Sequence, residues 1–319
     1  MHEFELIKKY FFKLSSNNKS SLELNDDVFF EKSKNLVVSV DTYVEGIHFM
    51  DFKNPNLVIK KIIRSSISDL ICKGVKPKYY FISGSGNKNS FTKKNLKMIS
   101  KSLHEEQKKF TINLCGGDTT FSNKLSFTII SLGFSKRIVY RNNAKLNDDI
   151  YVTGNLGDSF IGLKVLQKKI YLNRKLSNYF INKYYHPDLH INITKKLLLI
   201  ANTSIDISDG LVTDLEKLIN NQKLSYKLYL NDIPISKNLN KLIDLKIIKK
   251  ITSITKGDDY QILFTASPSK SRIISKTSKS LGIKISKIGK ICAHNQKSQI
   301  INEKNKKIDL KNKGYFHKF

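Results

Sequence analysis

LVVSVDTYVEGIHFMDFKNPNLVIKKIIRSSISDLICKG, residues 36–74, is the stretch on which the fold turns. LVVSVD (36–41) is a β-branched apolar run that stops on an acid, and LVIKKIIRSSISDLICKG (57–74) has the spacing of a helix with one apolar face. A strand serving only a core has no need to end in Asp41 and be followed within eight positions by Glu45 and His48. The unit reads as strand, polar turn, helix, with chemistry placed where the strand ends.

The same alternation continues outward. YYFISGS (79–85) reads as a strand, TKKNLKMISKSLHEEQKK (92–109) as a helix, and TINLCGGD (111–118) and LSFTIISLGF (125–134) as strands. NAKLNDDIYVTGNLGDS (143–159) is polar and turn-rich and marks a boundary. Beyond it, helices are expected near 159–168, 190–201, 210–220 and 269–281. Strands are expected at SIDIS (204–208), YQILFTA (260–266) and near 284–291. The expectation is an α/β chain of the α+β type, with mixed sheets flanked by helices. Two domains cover residues 1–145 and 146–319.

The 319 residues are 40% hydrophobic and 26% charged, a balance typical of a soluble globular protein. No apolar run approaches the roughly 20 residues that span a bilayer. MHEFELIKKYFFKL mixes acids and lysines through its apolar positions, so it does not read as a secretory signal. Cys72, Cys115 and Cys292 are far apart and odd in number, which points to a reducing cytoplasm rather than a disulfide framework or a zinc site. The net charge of +29 is spread from Lys8 to Lys318 without an arginine- or aromatic-rich stripe. It therefore reads as a solvated surface that can steer anionic ligands, not as a nucleic-acid interface.

With only 27 acids, placement is informative. Asp26, Asp27, Asp41, Asp69, Asp118, Asp206, Asp209, Asp258 and Asp259 mostly lie where a strand gives way to a turn bearing Gly, Ser or Thr. Ligand sites of open α/β sheets lie at such strand ends. Each has a plain structural reading taken alone: Asp209 as a helix cap, Asp26-Asp27 as a turn, His48 as a satisfied histidine. Together they are a set of carboxylates that repel one another unless cations hold them or their protons stay on. Oxygen-rich sites of that kind suit Mg²⁺ with substrate phosphates. GSGNKNS (84–90) lacks the spacing of a phosphate loop, and HEEQK (104–108) has Lys108 where a zinc protease has its second histidine.

In order along the chain, HEFELI (2–7), NDDVFF (25–30), VSVDTYVEGIHF (38–49), SDLICKGVKP (68–77), CGGDTT (115–120), YVTGNLGDS (151–159), DISDGL (206–211), GDDYQILFT (257–265) and KGYFHKF (313–319) resemble the motif series of the thiamine-monophosphate kinases. That family lies in the aminoimidazole ribonucleotide synthetase-like superfamily of ATP-binding proteins. The resemblance implies a two-domain fold, with an N-terminal domain (1–145) for ATP, Mg²⁺ and dimerisation and a C-terminal α/β domain (146–319) completing the cleft. It implies a homodimer, several Mg²⁺ ions, and phosphorylation of thiamine monophosphate by ATP. Carried over by motif, the Mg²⁺ ligands would be Asp27, Asp41, Asp69, Asp118, Asp206 and Asp209, with oxygens from Ser39 and Val40. Gly117, Asp118, Arg141 and Ser208 would contact ATP, and His48, Asp258 and Tyr315 the thiamine phosphate. The chain departs from the family pattern at Val40 (for Thr), Asn25 (for Gly), and Asp258 and Gln261 (each for Glu).

The implied acceptor is a phosphate monoester whose second pKa is about 6, so it needs no strong general base. Positioning and cations are the requirement, and direct in-line transfer is expected without a catalytic cysteine or phospho-enzyme. The rival readings are another synthetase of the superfamily, a nucleotide-binding paralogue without turnover, and, more distantly, a basic nucleic-acid-binding protein.

Overall fold

Five strands build the first sheet: β1 (Phe29–Glu31), β2 (Leu36–Val44), β3 (Pro77–Gly86), β4 (Asn113–Phe121) and β5 (Ser126–Phe134), in spatial order β1-β2-β5-β3-β4. Only β3 and β4 pair in parallel, because the helix Lys93–Phe110 crosses between them; the other pairs are antiparallel. The protein is described by a computed structural model covering residues 3–15, 17–302, 304–310 and 314–315. His2 of HEFELI, and every residue of KGYFHKF except Gly314 and Tyr315, lie outside the described residues.

The register sorts this sheet into two faces. Asp41 pairs with Ile129, Ile129 with Ile82, and Ile82 with Gly117, on the face that packs against the helix Pro55–Cys72. That helix follows Asn54 with Pro55 in its first turn and buries Val58, Ile59, Ile62, Ile63, Ile67, Leu70 and Ile71. Thr42, Thr128, Ser83 and Asp118 form the neighbouring row and therefore face the other way. The same outer face carries Val40, Ile130 and Phe134, with Val40 61% and Phe134 50% exposed. CGGD does not end a strand: Asp118 lies inside β4, all nine residues of which are exposed.

The second sheet uses β6 (Asp149–Thr153), β7 (Thr203–Asp206), β8 (Leu224–Tyr229), β9 (Ile262–Ala266), β10 (Ile285–Ala293), β11 (Gln299–Ile301) and β12 (Lys307–Ile308), in order β12-β11-β8-β10-β6-β9-β7. All its pairs are antiparallel except β11 with β8. The turn-rich stretch 143–159 thus contains a central strand, β6, every residue of which is buried. The helix Arg174–Tyr185, strand β8 and the helix Lys237–Asp244 were not anticipated from the sequence.

One hydrophobic cluster joins the two sheets: Ile59, Ile62 and Ile67 of the long helix pack in the same core as Tyr184, Leu197, Ile262 and Phe264. At the end of that seam Ser68 of the helix donates to the Asp206 carboxylate of β7 at 2.8 Å. Lys73, one residue past the helix, donates to the Ser204 carbonyl, also at 2.8 Å. The site is built on this junction.

Candidate active site

Asp27, Asp69 and Asp206 arrive from three separate parts of the chain, and carboxylate oxygens of all three lie within 4.8 Å of one another. Asp27 comes from the turn before β1, Asp69 from the last turns of the long helix, and Asp206 from the end of β7. Asp41 shares the cavity with Asp69 and Asp206. Burial pushes Asp41 up to about 7 and Asp206 also to about 7, the latter further raised by Asp214. Burial, then Asp41 and Asp206, hold Asp69 well above the usual carboxylate range. Asp41 and Asp69 are half-buried and line the cavity, whereas Asp206 is buried.

Fixed cations answer only part of this charge. Lys73, fully buried, bridges Asp26 Oδ1 (2.8 Å) and Asp27 Oδ2 (2.7 Å). Arg141 forks onto Asp27, and its backbone N–H donates to Asp26 at 2.9 Å. Lys217 pairs with Asp209 and, at 3.2 Å, with Asp214; burial works against its ammonium, but these two acids hold it above the usual range. Asp41, Asp69 and Asp206 have hydroxyls rather than ion-pair partners among the described residues: Ser39 Oγ donates to Asp69 at 2.6 Å and Ser68 to Asp206. Such a centre is stable with protons retained or with divalent cations bound.

The cavity beside the carboxylates holds about 280 Å³. It is also lined by His48, Asp258, Tyr260 and Tyr315. His48 is set by the turn after β2: its N–H and that of Ile47 both donate to the Val44 carbonyl, at 2.9 and 3.1 Å. The Val44 N–H donates to His48 Nδ1 at 3.0 Å, which leaves the proton of the neutral ring on Nε2. Glu45 takes part in ordering this turn, donating its N–H to the Leu125 carbonyl at 3.0 Å. The DISDGL and GDDY loops lie back to back, with the Asp258 N–H donating to the Ser208 carbonyl at 2.8 Å. Gly257 (φ +73°) permits that approach, since a Cβ there would stand 2.1 Å from the same carbonyl. The Tyr315 N–H donates to the Asp209 carbonyl at 3.0 Å, which places Tyr315 at the cavity.

The structure thus gathers Asp27, Asp41, Asp69, Asp206, Ser208, Asp209, His48, Asp258 and Tyr315 around one junction, with Arg141 on the Asp27 side. Ser39 is directed at Asp69, and Val40 turns its side chain outward, leaving only its backbone for any contact. Gly117 and Asp118 are on the exposed edge strand and do not line the cavity. Lys61, Lys73, Lys217, Tyr184 and Tyr260 escaped sequence reading. The available signal was a lysine breaking an apolar helical face: Lys61 sits among Val58, Ile59, Ile62 and Ile63.

Residues 25–135 match the family described as AIR synthase related protein, N-terminal domain. A thiamine-monophosphate kinase of Buchnera aphidicola subsp. Schizaphis graminum is 37% identical over 324 aligned positions, covering 99% of this chain and 98% of the relative. The chain belongs to the thiamine-monophosphate kinase family. The kinase of Escherichia coli K12 is 29% identical, with coverages of 99% and 98%. A solved structure, AaThiL complexed with AMPPCP and TMP, superposes with a TM-score of 0.86 at 25% identity, over 99% of this chain and 97% of that one. Against the thiamine-monophosphate kinase pattern, Gln261 proves to be scaffold. Its amide meets Thr153 Oγ1 (2.9 Å), His190 Nε2 (2.9 Å) and the Asp188 carbonyl (3.0 Å), away from the acidic cavity. Asn25 forms a reciprocal amide pair with Asn220, at 3.1 and 2.8 Å, and so ties the Asp26-Asp27 turn to the second half.

Proposed function

We propose that this chain transfers the γ-phosphoryl group of ATP to thiamine monophosphate, giving thiamine diphosphate and ADP. The observation that carries the reading is that Asp41, Asp69, Asp206 and Asp209 line one cavity together with His48, Asp258 and Tyr315, with Asp27 joined to Asp69 and Asp206 in one carboxylate cluster. The first set suits metal-bound phosphates, and the second an organic acceptor.

Asp27, Asp41, Asp69, Asp206 and Asp209 would hold Mg²⁺, with Ser39 orienting Asp69 and Val40 offering its carbonyl. Bound there, Mg²⁺ supplies the positive charge that lets two phosphate groups approach. Arg141 already presents its fork at Asp27 and is the side chain placed to share a phosphate oxygen there. Ser208 stands between Asp206 and Asp209, beside the path of the transferred group. His48, with its proton on Nε2, donates to the acceptor's phosphate, while Asp258 and Tyr315 contact its ring end. The acceptor's own phosphate is the nucleophile, so transfer is in line and needs no covalent enzyme intermediate.

We assign residues 1–145 as the ATP-, Mg²⁺- and dimer-forming domain and 146–319 as the domain that closes the cleft. Val40, Ile130 and Phe134 give the outer face of the first sheet an apolar surface with no helix over it among the described residues, which a second copy would cover. Asp118 and Gly117 lie on β4, the edge strand of this sheet, and a role for them at ATP fits a homodimer in which the edge meets the other copy's nucleotide. No helix among the described residues is long and apolar enough to cross a membrane, and we place the enzyme in the cytoplasm.

The test is incubation with ATP, Mg²⁺ and thiamine monophosphate, reading thiamine diphosphate by chromatography. Product from the wild type, abolished in Asp41→Asn with its fold retained, is expected. Near-normal turnover by Asp41→Asn would remove the metal assignment, and absence of product from the wild type the activity.

A further inference from the structure

Lys61 is an expensive residue to bury. Its side chain is 2% exposed in the middle of the long helix, where an ammonium is strongly disfavoured without a partner. Its Nζ lies 2.7 Å from Asp258 Oδ1, 4.0 Å from the centre of the Tyr184 ring, and 3.5 Å from the Tyr184 carbonyl. The Tyr184 hydroxyl in turn donates to the His48 carbonyl at 3.3 Å. One lysine is therefore linked to two of the three residues assigned above to the acceptor: directly to Asp258, and through Tyr184 to the His48 turn.

The partner is costly too. Asp258 has φ +62°, a left-handed conformation unfavourable for a residue with a Cβ, and Tyr260 follows at φ +51°. The backbone is nevertheless pinned by Asp258 N–H to Ser208 O and Tyr260 N–H to Ile207 O, both 2.8 Å. Asp258 Oδ1 receives both Lys61 and the Tyr260 hydroxyl (3.1 Å). Both donors meet the same oxygen, and the partly exposed Asp258 lines the cavity, so Oδ2 is the oxygen left to offer there. A buried cation and a strained backbone converge on the placement of one carboxylate oxygen.

We propose that Lys61 is the positioning residue for acceptor recognition: it fixes the rotamer of Asp258 and neutralises it, so that Oδ2 faces the cavity as a hydrogen-bond acceptor. This rests on the assignment of the cavity to thiamine monophosphate. The shorter aspartate at 258 is then matched to its partner: the loop stays pinned, and the lysine beneath it sets which oxygen is offered. Lys61 itself does not touch the acceptor.

The test is a double-variant cycle on the full-length enzyme, with KM measured separately for each substrate. Lys61→Met is expected to raise KM for thiamine monophosphate by about 10- to 100-fold, while kcat and KM for ATP stay within about 3-fold, because the loss of one oriented hydrogen bond falls on binding. Asp258→Asn should raise the same KM comparably. Since the proposed effect of Lys61 on the acceptor runs through Asp258, the double variant should be no worse than either single one; independent effects, including one through Tyr184 and the His48 turn, would multiply. Multiplying effects, or an equal loss in kcat and in KM for ATP, overturn the proposal. If Lys61→Met does not fold, Lys61→Arg decides: a KM within about 5-fold of wild type supports it, and a KM as high as that of Asp258→Asn overturns it. Wild-type enzyme that makes no thiamine diphosphate refutes the function instead, and is told apart by that result alone.

Discussion

Lys73→Met tests the electrostatic reading of the site most directly. Lys73 is fully buried and holds Asp26, Asp27 and the Ser204 carbonyl at 2.7–2.8 Å. The three partners are not equally orphaned by its removal. Asp27 keeps the Arg141 fork, whereas Asp26 keeps only the backbone N–H groups of Asp27 and Arg141, at 2.8 and 2.9 Å. Breaking a buried ion pair costs about 3–5 kcal/mol, and the retained donors place this one at the lower end. The unpaired Ser204 carbonyl adds about 1 kcal/mol. Urea unfolding in EDTA should therefore show a loss of about 4 kcal/mol. Saturating Mg²⁺ returns positive charge to Asp27, so the gap between variant and wild type should narrow. A loss below about 1 kcal/mol in EDTA, or a gap that Mg²⁺ leaves unchanged, would refute the claim that this cation and a metal neutralise the same carboxylates.

Three further outcomes follow from the same geometry. In EDTA, Asp41 and Asp206, both raised to about 7, favour the protonated native state; their contribution is complete below pH about 4 and is lost as pH rises through about 7. His186, lowered by burial to about 4, and His190, also lowered by burial, titrate with the opposite sign, so the measurement belongs in a His186→Gln/His190→Gln background, where metal-free stability should fall between pH 5 and 8 and Mg²⁺ should reduce the fall. Asp69→Asn removes the penalty of burying a carboxyl beside Asp41 and Asp206: activity should drop at least about 100-fold while metal-free stability rises by about 0.5–2 kcal/mol, and a stability loss in calorimetry would contradict that penalty. Ile130→Glu on the outer sheet face should yield a monomer by light scattering, and an unchanged dimer would place the interface elsewhere.

The strand–helix alternation of residues 36–134 was legible because each element there has one apolar face and a polar partner: helix 57–74 is observed as Pro55–Cys72 and helix 92–109 as Lys93–Phe110, capped by Thr92. Within the stretch 143–159, β6 was missed because a short strand between Asp148-Asp149 and a Gly-rich turn shows composition, not period. Its acids are buried, and Asp148 is satisfied by Asn202 and Thr265, neither of which local sequence can foresee. The carboxylates were readable because acids are scarce in so basic a chain. Their neutralising partners were not, because Lys73 and Lys217 look like any two of its many lysines until the fold buries them.

That contrast explains how a chain of net charge +29 can have an acidic centre. At physiological ionic strength the screening length is about 8 Å, so scattered surface lysines attract anionic phosphates only over short distances. They cannot cancel the field of Asp41, Asp69 and Asp206 at the cavity these residues line. A polyphosphate approaching the metal-free centre meets carboxylates, and Lys73, Arg141 and Lys217 are already engaged with Asp26, Asp27, Asp209 and Asp214. Divalent cations must therefore precede or accompany the nucleotide. Nucleotide affinity should then depend steeply on Mg²⁺ and only weakly on monovalent salt, the reverse of what a chain binding through its lysines would show.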